Sequence, residues 1–241
     1  MFLYPLPSYV ASLFHFLGFS LVDSVKLVFA LSFVAAAGAM YLFGSFLWGT
    51  YGGVLASVVY SFAPYRFVDL YVRGAIGEHV AFVFPPLILW GLAHIARQPR
   101  KIAWIVFSAG AVAGLLLSHN AISLMFLPLI LLYALYLYVF EVKEKLPFTL
   151  SFFSIVVLGF SLSAFFWLPA FFEGKYTLRD IVMAGEFAGR FVPWQWFFVS
   201  PWNYGGGNQF TKEVGIAQWL VVAVSIVLSG KKTSLRWLTM G

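Results

Sequence analysis

Cysteine is absent from the 241 residues. Disulfide bonds, thiolate nucleophiles and cysteine-ligated metal sites are excluded with it. Charge is almost as scarce. Only 10% of the chain is Asp, Glu, Lys or Arg, 62% is hydrophobic and the mean hydropathy is +0.91. That leaves too little polar surface to cover a water-soluble globule. The interiors of the apolar runs contain no carboxylate, which removes the intramembrane acidic relay of a proton pump or ion-coupled transporter. No inverted repeat is visible. The opening has neither a basic region nor a small-residue cleavage site, so it does not read as a signal peptide. What remains for chemistry is a small set of carboxylates and arginines, four histidines and the backbone.

Apolar sequence of membrane-crossing length is abundant. A helix needs about 20 apolar residues to span the hydrocarbon. Runs near 24–47, 79–96, 102–118, 119–140, 147–172 and 214–230 approach or exceed that length, and a shorter seventh lies at 51–63. The expectation is an all-α fold, a polytopic transmembrane bundle of about seven spans forming a single membrane domain over 1–241. Residues 4–18 follow a Pro-x-Pro start and are too short to cross, which predicts an interfacial helix. The chain starts without an upstream span and stops just after LRWLT without a closing one. It is expected to be a fragment.

The net charge of +6 is distributed as a topology signal, not as a nucleic-acid surface. Arg97, Arg100 and Lys101 mark one short loop, Lys143 and Lys145 a second, and Lys231, Lys232 and Arg236 a third. Counting spans puts all three on one side, the cytoplasmic side of a plasma membrane. Residues 64–78, the Ser118 to Asn120 turn and the long 173–213 loop then fall on the outer face.

One outer stretch, YRFVDLYVRGAIGEHVAF (65–82), gathers Arg66, Asp69, Arg73, Glu78 and His79. Tyr65, Asp69 and Arg73 are four apart and share a helical face, so Asp69 can pair with Arg73. Glu78 opens the next span, where the helix dipole favours a carboxylate. An ion pair plus a cap is the plain reading of these residues, and a polar site is the other. The second gains from company on the same face. His119 and Asn120 occupy a turn with almost no linker, Asn120 as the expected helix cap, and Glu173 and Lys175 follow another span. Trp194, Trp196, Trp202 and Tyr204 form an interfacial aromatic belt or stack on a sugar ring. Gly205 to Gly207 read as a flexible turn, and His15 and His94 as packing residues.

YPLPSY, APYRFVDLYVRGAIGEHVAFVFPPLIL, LLLSHNAISLMF, WLPAFFEGKY and SPWNYGGG with EVGIAQWL resemble successive blocks of the bacterial and archaeal membrane proteins called 6-pyruvoyl-tetrahydropterin synthase-related. The likeness runs through most of the chain. Its most specific part is Asp69 to Ala75 followed by Glu78. Pterin chemistry is not implied, because that enzyme's zinc site needs three histidines in a compact soluble barrel, and these four are scattered over membrane segments. A more distant resemblance is to the GT-C superfamily of polytopic glycosyltransferases, which use polyprenyl-phosphate sugar donors on the outer face. YPLPSY is similar to their Pro-Pro-Leu segment, and Arg73 and Glu78 fall where their second outer loop holds an Arg and acidic residues. Glu78 departs from that pattern by following Gly77 directly.

The GT-C resemblance implies an enzyme that transfers a sugar from a polyprenyl-phosphate-linked donor. Such chemistry needs a carboxylate to deprotonate the acceptor or hold a divalent metal; Asp69 and Glu78 are the catalytic candidates, to orient Arg73 or bind metal, although no cofactor is evident in the sequence itself. Arg73 would grip the phosphate by bidentate contacts, with Arg66, His119, Asn120 and Trp202 completing the donor site. The first span and acidic loop of such enzymes are missing here, which implies that the chain is inactive alone. The alternative is a non-catalytic protein that binds or translocates the lipid phosphate.

Overall fold

The computed structural model describes residues 3–173, 176, 192–200 and 211–229. Among these, helix dominates and no strand occurs, so the all-α expectation holds. Helix α1 (Pro5–Phe16) starts on a proline, whose missing N–H has no partner to lose in a first turn. Gly18, in the left-handed region at φ +99°, turns the chain into α2 (Leu21–Ser61). Ser20 caps α2 by accepting a hydrogen bond from the Asp23 amide.

Helix α2 is a hairpin of two antiparallel arms. Gly49 breaks it at φ 73°, ψ 180°, a conformation that favours glycine. Beyond the break the chain doubles back, and Ser57 Oγ donates to the Ala37 carbonyl oxygen at 2.8 Å. A straight helix would hold residues twenty apart at about 30 Å. The arms approach at Gly44 and Gly53. A Cβ on Gly53 would lie 1.9 Å from Ser45 Oγ and 2.8 Å from the Ser45 nitrogen.

After the hairpin come α3 (Pro64–Phe67), a π-helical turn (Val68–Arg73), α4 (Ile76–Ala81) and α5 (Phe84–Arg97). They are followed by α6 (Ile102–Ser118), α7 (Asn120–Phe140), α8 (Lys145–Leu162), α9 (Ala164–Phe172), a 3-10 turn (Trp194–Phe197) and α10 (Ile216–Ser229). Helix α6 lies between α5 and α8, and α5 also packs on α2. Small residues permit the close approach: a Cβ on Gly91 would reach within 2.0 Å of Ser108 Oγ, and one on Gly159 would strike Val112. Helix α7 by contrast exposes Leu124, Met125, Leu132, Leu135 and Phe140, a surface suited to hydrocarbon and not to water.

Four helical stretches among the described residues are long and apolar enough to cross a membrane: Leu21–Ser61, Ile76–Arg97, Asn120–Phe140 and Lys145–Leu162. Ile102–Ser118 and Ile216–Ile226 are apolar but shorter. The difference from about seven has physical causes. The 24–47 and 51–63 runs are joined in the α2 hairpin, the 147–172 run breaks at Ser163, and the last two helices are brief. Most of the 173–213 loop lies outside the described residues, as do Lys231, Lys232 and Arg236.

Candidate functional site

Local geometry at residues 63–78 makes the site. Ala63 and Pro64 start α3 after the hairpin, and the helix widens into the π turn at Val68–Arg73, a feature common at functional sites. Gly74 ends it in the left-handed region at φ +56°, and the Ala75 amide donates back to the Asp69 carbonyl oxygen at 3.0 Å. The chain reverses there. Arg73, at the end of one helix, consequently meets Glu78 in the first turn of the next.

Arg73 Nη1 donates to Asp69 Oδ1 at 2.8 Å, to Glu78 Oε2 at 2.8 Å and to the Tyr65 hydroxyl oxygen at 2.6 Å. Its Nη2 donates to Glu78 Oε1. The grip on Glu78 is therefore the bidentate fork that only arginine provides. Tyr65 in turn donates to Glu78 Oε2 at 2.8 Å. Asp69 is fully buried and Glu78 nearly so, while the Arg73 side chain keeps 31% of its surface exposed.

Two carboxylates thus share one guanidinium in a place largely withdrawn from water. Burial and the neighbouring Glu78 charge push the Asp69 carboxyl up to about 7, against the pull of Arg73. The hydrogen bond to Glu78 holds the Arg73 guanidinium still more firmly charged than usual. Asp69 Oδ2 has no hydrogen-bond partner among the described residues.

His119 joins the cluster and Asn120 does not. The cap of α7 is His119, not Asn120: His119 Nδ1 accepts from the Ile122 amide at 3.2 Å. In the neutral ring the proton then sits on Nε2, which lies 3.8 Å from Glu78 Oε1. Burial depresses the His119 pKa although Glu78 opposes it. Asn120 is exposed and lines a separate apolar cavity of about 300 Å³.

Arg66 is also apart from Arg73. Only 2% of it is exposed; Nη1 donates to the His79 carbonyl oxygen at 3.4 Å, and the guanidinium lies 4.8 Å from the Phe82 ring centroid and 5.6 Å from that of Phe33. The five charged or titratable groups of the stretch therefore form two sets, an outward cluster and an inward Arg66 and His79 pair. Trp202, Tyr204, Lys175 and Gly205 to Gly207 lie outside the described residues.

Two members were not assigned to the site from sequence. Tyr65 bonds both Arg73 and Glu78, and its spacing of four from Asp69 was the available signal. Tyr4, just before α1, packs against His119 with tilted rings whose centroids are 4.5 Å apart, a long-range contact that no local spacing announces. Among the described residues no group of three or more His, Asp or Glu could hold a metal ion. Arg73 occupies the position between Asp69 and Glu78 that a bridging cation would need, so these residues do not fit the divalent metal.

A family model described as "6-pyruvoyl-tetrahydropterin synthase related domain; membrane protein" matches residues 2–240. A curated relative, an uncharacterized protein of Lactococcus lactis subsp. cremoris (strain MG1363), is 30% identical over 172 residues. The match covers 68% of this chain but 28% of that relative's length. No solved structure matches the chain.

Proposed function

We propose that this chain, which belongs to the 6-pyruvoyl-tetrahydropterin synthase related family of membrane proteins, serves at the outer face of the plasma membrane in transferring a sugar from a polyprenyl-phosphate-linked donor. The observation that carries the reading is the cluster itself. A buried carboxyl raised to about 7, with Oδ2 lacking a hydrogen-bond partner among the described residues, stands beside an arginine clamped by Glu78 and Tyr65. A base of that strength is suited to neutral pH. Asp69 takes the proton of the acceptor hydroxyl, the acceptor oxygen bonds the sugar's anomeric carbon, and the bond from that carbon to the phosphate oxygen breaks. Polyprenyl phosphate leaves with the electron pair, and Arg73 holds Glu78 and the Asp69 carboxyl in place beside the reacting centre.

The test is transfer of labelled sugar from a polyprenyl-phosphate donor by membranes carrying the full-length protein. The rate should rise as pH passes through about 7, and Asp69→Asn should lower it by roughly 10²-fold or more, the scale of general-base catalysis. A rate unaffected by Asp69→Asn would overturn the reading. A second reading, non-catalytic binding or translocation of the lipid phosphate, is favoured by the charge balance at Arg73, whose guanidinium is already shared by two carboxylates. Binding of the donor without transfer would select it.

A further inference from the structure

An apolar groove of about 610 Å³ runs between the α2 hairpin and α10. Its wall follows the second arm of α2 from Gly52 to its end at Ser61 and continues to Ala63, about 17 Å at the helical rise. Trp48, Leu55, Val59 and Val221 line it. Among the described residues Arg66 is the sole charged one in its lining, and it follows Ala63 at the end of the groove away from the Gly49 turn. That arginine is nine-tenths and more buried, yet neither Nε nor Nη2 has a hydrogen-bond partner among the described residues. No carboxylate lies within 4.0 Å of it there. Nε and Nη2 form the side-on edge of a guanidinium, the pair that receives two oxygens of one anion. Leaving such a group buried without partners is costly. A long apolar slot with a cation at one end is the complement of an amphiphile with one chain and an anionic head.

We infer that this groove binds a single-chain lipid phosphate, its chain laid along the second arm of α2 and its phosphate held by the Nε and Nη2 edge of Arg66. The choice of phosphate as the oxyanion rests on the proposed donor; the anionic head and the single chain rest on Arg66 and the groove. The phosphate is thereby assigned to Arg66, while Arg73 remains with its carboxylates and Tyr65.

The test is retention of four probes by the purified full-length protein in nanodiscs: dodecyl phosphate, dodecanoate, dodecanol and inorganic phosphate. Dodecyl phosphate should bind best, dodecanoate less well, and the other two at least tenfold more weakly. Arg66→Gln should weaken dodecyl phosphate by roughly ten- to hundredfold, the scale of a charge-assisted pair of hydrogen bonds, and leave dodecanol within about twofold. Val221→Trp should reduce binding of both dodecyl probes by filling the slot. Thermal unfolding is followed in parallel, and should Arg66→Gln fail to fold, Arg66→Lys and Val221→Trp carry the comparison. Equal binding of dodecyl phosphate and dodecanol by the unaltered protein, or unchanged binding in the variants that fold, would overturn the inference. Preference for dodecanoate would replace the phosphate with a fatty acid. Intact binding in a protein whose sugar transfer ignores Asp69→Asn would sink the proposed reaction and leave the groove standing.

Discussion

Replacing Arg73 with alanine should destabilise the protein by roughly 3 to 5 kcal/mol, the cost of removing one partner from a buried ion pair. Two carboxylates depend on this side chain, Asp69 at 0% exposure and Glu78 at 6%. Without it they face each other in a poorly hydrated site, with Tyr65 and His119 as the nearest polar groups on Glu78. Arg73→Lys keeps the charge but loses the fork to Glu78, so it should cost about 1 to 3 kcal/mol, as expected for charge-assisted hydrogen bonds. Chemical unfolding in detergent measures both. Adding Glu78→Gln to Arg73→Ala should recover part of the loss, because it removes one of the two uncompensated charges. A loss below about 1 kcal/mol for Arg73→Ala would mean that the cluster behaves as an exposed surface pair.

Gly53→Val should disrupt the α2 hairpin. The new Cβ would stand 1.9 Å from Ser45 Oγ and 2.8 Å from the Ser45 backbone nitrogen. The hydroxyl can rotate away, but the backbone cannot, so the arms must separate. Overpacking of this kind costs about 1 to 3 kcal/mol and more where backbone is struck. The Ser57 bond to Ala37 goes with it. The expected result is a lower unfolding midpoint, and Gly38→Ala, which has open space at its Cβ, should change little. Equal behaviour of the two variants would contradict the hairpin.

Much of this site was legible because it is local. Asp69 and Arg73 pair as their spacing of four requires, and Tyr65 extends the same spacing by one turn. Glu78 as a group orienting Arg73 was legible from its chemistry, but the bidentate geometry was not, since it depends on the left-handed residue at Gly74 and on the π turn before it. A helix dipole explains a carboxylate at that position equally well, so a cap and an ion pair could not be told apart before the fold was known. Arg66 stands one residue from Tyr65, about 100° around a helix, and this offset turns it inward, away from Arg73. The same one-residue sensitivity separates His119, the actual cap, from Asn120. Helix character was plain from composition, whereas the doubling back of α2 hinges on one glycine in an apolar run. The GT-C likeness supplied the donor chemistry, and no spacing in the chain could have done so.

The proposed transfer requires the cluster to lie on the outer face and to meet the lipid-linked donor there. The absence of native cysteine makes one measurement direct: Asn120→Cys provides the only thiol, on an exposed residue next to His119. Intact cells producing the full-length protein with this substitution are treated with a membrane-impermeant maleimide, with and without a polyprenyl-phosphate sugar. Labelling without permeabilisation, slower when the lipid is present, is the expected result. Labelling that requires permeabilisation, or that proceeds at the same rate with the lipid as without it, would contradict it.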